Sequence, residues 1–174
     1  ADCMDAWHKK VGVSFTSIEN ARRNLQAELA GTEMVADGVV TGNDAAFDKV
    51  RGEAVSEWDD LLGRIDVEGG TDQQKEVFYT ALYHTLIHPS VLNDVNGDYP
   101  VMESDSIGNI YANAGAVTAA DSAAVHPRYT VFSLWDTYRN LHQLMTLVYP
   151  DRQEGMVQSM LGIYREHGWL PKWE

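Results

Sequence analysis

A chain of 174 residues with 44% apolar side chains is long enough for one ordinary hydrophobic core and too short to argue for two. Its 26 acidic against 13 basic residues leave a formal charge of −13, which repels phosphate backbones, and no basic stripe interleaved with aromatics occurs, so nucleic acid is excluded as a partner. The lone cysteine, Cys3, permits neither an internal disulfide nor a cysteine metal cluster, and the apolar runs break well before the roughly 18 residues of a membrane span.

Val11, Val13 and Phe15 alternate with Gly12 and Ser14, the period of a half-buried strand, so residues 9–16 are expected to form an edge strand. Thr16 followed by Glu19 reads as a capping box opening a first helix, with Ile18, Ala21, Leu25 and Leu29 as its apolar stripe. Gly31, Gly38 and Gly42 mark a loop. Asn43 or Asp44 can cap a second helix whose buried face would be Phe47, Val50, Ala54, Trp58, Leu61 and Ile65, ended by Gly69-Gly70. Thr71 with Gln74 makes another capping box for a third helix through Val77, Phe78, Ala81, Leu82 and Leu86, stopped by Pro89. Asn96-Gly97 reads as a tight turn or short hairpin between 91–92 and 99–101.

Residues 104–127 are rich in Gly, Ala, Ser and Asn without period, as an active-site loop or a surface ornament would be. A short β-branched run at 129–132 follows. Ser133 is then expected to cap one helix carrying Leu134, Tyr138, Leu141, Leu144, Met145 and Val148, and Asp151 with Glu154 to cap another that ends at Gly168. Five helices and one edge strand predict an all-α chain, because nothing alternates strand with helix as a parallel sheet would. Two tryptophans near the last residue have little to bury against, so the chain reads as an internal segment.

Asp94-Val-Asn96-Gly97-Asp98 resembles a calcium loop superficially, but its glycine stands fourth rather than sixth, so a plain polar turn is the simpler account. His84 and His88, four apart, would share one helical face as zinc ligands often do; Thr85 stands where a zinc protease has glutamate, which favours structural histidines. The segment Ser133-Leu-Trp135-Asp136-Thr-Tyr-Arg-Asn140 is the most unusual. Trp135 and Asp136 in a first helical turn can be core filler and dipole complement. They also suit a monosaccharide, since a carboxylate accepts bonds from sugar hydroxyls while an indole covers the C–H face of the ring. Trp169 to Glu174 repeats these ingredients, placing Trp173 and Glu174 among the candidates.

Three segments, Tyr79 to Pro89, Tyr129 to His142 and Gly168 to Glu174, resemble glycoside hydrolase family 92, and Val13-Ser-Phe with Asn20 to Leu25 matches the passage by which that family enters its helical domain. The resemblance implies an exo-α-mannosidase, built as an (α/α)6 barrel on a β-sandwich, that removes terminal α-mannose from glycans, α-1,2-linked residues among them. It implies inversion assisted by calcium, and a periplasmic or secreted location. Residues 1–16 would end the sandwich and 17–174 would form the first hairpins of the barrel. Asp136, with Trp135, matches the position that binds mannose in the terminal subsite; Trp173 and Glu174 are expected near that pocket. The acid, the base and the calcium ligands are expected outside this chain, so the chain alone is expected to be inactive. A non-catalytic helical sugar- or protein-binding module is the alternative, and a polysaccharide lyase is disfavoured by the Trp-Asp pair and the acidic charge.

Overall fold

The computed structural model describes residues 10–30, 44–113 and 125–173, with 44–46 and 113 described by backbone alone. In chain order the elements are α1 (Ile18–Glu28), α2 (Asp44–Leu62), α3 (Asp72–Thr85), β1 (Ser90–Val91), β2 (Asp98–Pro100), β3 (Ile107–Asn109), α4 (Ile110–Asn113), β4 (Tyr129–Thr130), α5 (Leu134–Thr137), α6 (Leu141–Val148) and α7 (Pro150–His167). The chain is helix-rich, and its strands form two small antiparallel pairs, β1 with β4 and β2 with β3.

The core lies where the helices meet. Leu61, Leu82 and Leu86 of the α2–α3 region join Tyr129, Phe132, Met145, Tyr149, Met156 and Ile163 in one buried cluster. Trp58 meets Tyr83, with ring centroids 4.5 Å apart, and the Tyr79 hydroxyl donates to the Ile65 carbonyl at 3.1 Å. From Trp58 to Ile65 the partner moves back from Tyr83 to Tyr79, which makes α2 and α3 an antiparallel hairpin. Tyr149 crosses between hairpins, its hydroxyl donating to the Leu61 carbonyl at 2.9 Å, while Arg64 donates to the Val148 carbonyl at 3.1 Å. The joint α6–α7 begins with Pro150 at the first helical position, where its fixed φ suits a helix and its missing N–H costs nothing.

Several expectations need correction. Residues 10–16 form no strand: among the described residues no strand pairs with them, and the Val13 carbonyl instead accepts from Asn24 Nδ2 at 2.8 Å. Ser17, not Thr16, caps α1 by accepting from the Asn20 N–H, because the Thr16 hydroxyl is drawn to the buried carboxylate of Asp94. The one buried residue of α1 is Asn20 and Ile18 is exposed, while Ala21, Leu25 and Leu29 of the expected stripe are half-buried, so α1 docks through its amides as well as part of its apolar stripe. In α2 the expected face is covered only from Trp58 onward, with Phe47 and Val50 exposed. The Asn96-Gly97 turn exists, with Gly97 at φ 88, but β2 leaves it to pair with β3 rather than with residues 91–92.

The helix expected from Ser133 is two helices, interrupted at Asn140, where φ is −159. Asparagine competes with helical hydrogen bonding, and the break lets α5 follow the chain end while α6 keeps its apolar face on the core. No Asp151–Glu154 box forms: with Tyr149 as the cap and Pro150 opening the helix, Asp151 lies inside the first turn, complementing the dipole. The Thr71–Gln74 box of α3 and the left-handed Gly168 cap of α7 stand as expected. Within 104–127, residues 107–113 form β3 and α4, while Cys3 and residues 114–124 lie outside the described residues.

Candidate sugar-binding site

The turn from β4 into α5 is built around Phe132, which is 0% exposed and anchors the segment in the core. On either side Val131 (φ 58) and Ser133 (φ 41) occupy the left-handed region, costly for any side chain and most of all for a β-branched one. Such strain persists only where surrounding contacts over-determine it. Here the Ser133 N–H donates to the Trp173 carbonyl at 2.8 Å and the Leu134 N–H donates to the Lys172 carbonyl at 3.0 Å. The backbone of the last described residues is thus clamped to the start of α5.

That clamp brings two separated sequence motifs together. Trp135 (61% exposed) and Trp173 (53% exposed) both present indole surface beside the same strained turn. Asp136 is exposed as well; one carboxylate oxygen accepts from the Ser133 hydroxyl at 2.5 Å. Its other oxygen has no hydrogen-bond partner among the described residues. The Arg139 guanidinium lies over the Trp135 ring, 4.6 Å from its centroid. Glu174 lies outside the described residues. Chemically the arrangement offers an acceptor for hydroxyls and apolar ring faces, which is what a polar ring with a C–H face requires.

Three supporting residues were not among the site candidates read from the sequence. Thr137, the buried end of α5, meets His142 Nε2 at 3.0 Å, and the opposite ring nitrogen, Nδ1, meets Gln153 Oε1 at 3.1 Å. A histidine and a glutamine inside amphipathic helices show no role by spacing alone.

His84 and His88 do not share a helical face, because α3 ends at Thr85. The Asp94–Asp98 turn is richer than a plain polar turn. Asp94 is 3% exposed and accepts from Ser14 Oγ (2.9 Å), Thr16 Oγ1, Asn20 Nδ2 (3.1 Å) and Asn24 Nδ2 (2.7 Å). Asn20 Nδ2 also reaches Asp98 (3.0 Å), which accepts from Asn96 (2.7 Å) and Asn109 (2.8 Å). Burial alone would raise the Asp94 pKa; bonds from Thr16, Asn24, Ser14 and Asn20 outweigh it and hold the carboxyl below its ordinary value. The Asn109 and Asn20 amides lower Asp98 likewise.

This donor set does not fit calcium. The carboxylate oxygens of Asp94 and Asp98 are engaged by N–H and O–H groups, and among the described residues no three His, Cys, Asp or Glu side chains converge as a metal site. A third polar cluster is an ion pair: buried Arg128 grips Glu166 through two nitrogens, at 2.7 and 3.3 Å, while Tyr99 donates to the same carboxylate at 2.7 Å. A Cβ at Gly162 would stand 2.6 Å from Arg128 Nη1, so that position in α7 makes room for the guanidinium.

Comparison with known proteins gives a consistent set of relatives. Residues 20–174 match the family described as the glycosyl hydrolase family 92 catalytic domain. Among solved structures, a family GH92 α-mannosidase of Bacteroides thetaiotaomicron superposes with a TM-score of 0.69 at 28% identity, covering 92% of this chain and 18% of that one. The same enzyme has been solved with mannoimidazole. A family GH92 inverting mannosidase of B. thetaiotaomicron VPI-5482 gives 0.68 at 32% identity, with the same coverage of 92% and 18%. A secreted glycosidase of Arthroderma benhamiae, itself uncharacterized, is 30% identical over 97 residues, 55% of this chain and 11% of that protein. The chain therefore spans a small part of the length of each relative.

Proposed function

Because the chain belongs to glycosyl hydrolase family 92, we propose that it is a segment of an exo-α-mannosidase and supplies one wall of the pocket that grips the terminal mannose. The observation that carries this reading is the backbone clamp between 133–134 and 172–173, which gathers Trp135, Asp136 and Trp173 at one strained turn. Asp136 accepts bonds from adjacent sugar hydroxyls, and the indoles of Trp135 and Trp173 cover the apolar side of the ring. Glu174, next in the chain, belongs to the same pocket in this reading.

The chemistry proposed for the whole enzyme is inversion. One carboxyl group protonates the leaving oxygen while another, roughly 6.5 to 9.5 Å away, activates water on the opposite face. Both groups would come from outside this chain, as would the residues holding calcium, an ion whose bound form can orient sugar hydroxyls and help distort the ring. The hairpins α2–α3 and α6–α7 are units from which an (α/α)6 barrel is assembled, and residues 10–16 would lead in from a β-sandwich. The substrate class is terminal α-mannose on glycans, α-1,2-linked residues included. A secreted or periplasmic location agrees with the secreted fungal relative, and among the described residues no helix is long and apolar enough to cross a membrane.

The test is Asp136→Ala in the full-length enzyme. Hydrogen bonds from sugar hydroxyls to a carboxylate contribute about 1.5 to 3 kcal/mol each, so kcat/KM should fall by at least about two powers of ten with folding intact. A dipole role would instead cost about 0.3 to 1 kcal/mol of stability and leave turnover unchanged. A destabilised variant with near-normal kcat/KM would reject the assignment.

A further inference from the structure

A helix of one turn cannot hold its own orientation, because too few hydrogen bonds offset the cost of fixing its backbone. α5 has four residues, and the Ser133 side chain makes no bond to its free N–H groups. Its direction must be imposed from outside. Phe132 and the 172–173 clamp fix where α5 begins. What fixes its far end is Thr137, whose hydroxyl meets His142 Nε2 at 3.0 Å. His142 stands in the first turn of α6 and its Nδ1 meets Gln153 Oε1 of α7 at 3.1 Å. The imidazole therefore bridges α5 to both helices of the hairpin behind it. Thr137 is adjacent to Asp136, so a rotation of α5 about its start moves the carboxylate and the Trp135 indole together.

We propose that His142 is a positioning residue, which acts through Thr137 to hold Asp136 and Trp135 in the orientation that grips the sugar. The proposal rests on the sugar-binding role of Asp136 given above. A planar ring with two opposed nitrogens suits this role, because it spans from Gln153 to Thr137 with one rigid group, where a flexible side chain would allow the turn to swing. Misplacement by about 1 Å of a group that binds the reacting sugar can cost about a hundredfold in rate.

The experiment compares Thr137→Val, His142→Phe, His142→Gln and the pair Thr137→Val/His142→Phe with Asp136→Ala, all in the full-length enzyme. Each is assayed for kcat/KM on an aryl α-mannoside and for its melting temperature. Thr137→Val keeps the volume and removes the hydroxyl, so it reports on the bridge even if His142→Phe fails to fold. Thr137→Val and His142→Phe should each lower kcat/KM by about tenfold or more, and the pair should lose no more than the worse single variant, since both break one connection. His142→Gln, whose terminal amide can reach Thr137 but lacks the rigid span of the ring, should recover only part of the activity lost in His142→Phe. Unchanged kcat/KM in Thr137→Val, beside a large loss in Asp136→Ala, overturns the positioning role alone. Additive losses, or a lower melting temperature with unchanged kcat/KM, overturn it too. Full activity in Asp136→Ala overturns both the positioning role and the reading beneath it.

Discussion

Asp94 is buried beneath α1 and yet stays on the ionised side, since four donors from Ser14, Thr16, Asn20 and Asn24 converge on its two oxygens. Both Asp94 and Asp98 have pKa values below the unfolded aspartate value. A depressed folded pKa means that the folded state binds fewer protons. The stabilisation is therefore complete above about pH 4 and is lost as pH falls through the folded values. Asp94→Asn replaces an acceptor with an amide whose N–H₂ faces other donors, so it should cost about 1 to 3 kcal/mol at pH 7. The gap between the two proteins should close on acidification below about pH 4. Urea unfolding across that range measures it, and a gap independent of pH would refute the account. The pattern Asp94 to Asp98 marks a turn in the sequence; that Asn20 and Asn24, about seventy residues earlier, would fold onto it was not legible, because contact between distant segments leaves no local period.

Among the elements, those whose ends are set by local chemistry match the sequence best. α3 has both halves of its capping box, with the Gln74 N–H donating to the Thr71 hydroxyl at 3.3 Å and the Thr71 N–H donating to Gln74 Oε1 at 2.8 Å. Thr71→Ala should cost about 0.5 to 2 kcal/mol, and Thr71→Ser should keep most of it. The urea midpoints of the two variants decide this; equal losses would mean that the cap is not the cause. By contrast α1 and α7 begin where a competing interaction wins, a buried carboxylate claiming Thr16 and Pro150 setting the first turn. The division of the expected 133–150 helix into α5 and α6 has the same origin, since the clamp to residues 172–173 holds one part while the core holds the other.

At the scale of the whole molecule, much apolar surface remains open: Leu147 is 83% exposed and Trp169 80%, with Phe15, Ile18 and Val77 also exposed. The pure 174-residue chain is expected to release no mannose from α-mannosides, because the proposed acid and base lie outside it. Calcium-dependent release by that chain would contradict the prediction. The sequence by itself determined that the chain is acidic and helix-rich, and where α3 begins and α7 stops, since composition, periodicity and caps act within a few residues. Only the tertiary structure decided that 133–134 and 172–173 join, that the Asn20 and Asn24 amides of α1 meet Asp94, and that His142 reaches both Thr137 and Gln153. Those outcomes depend on which distant donor finds which acceptor once the core excludes water, and hydrogen bonding of that kind has no repeat along the chain to read.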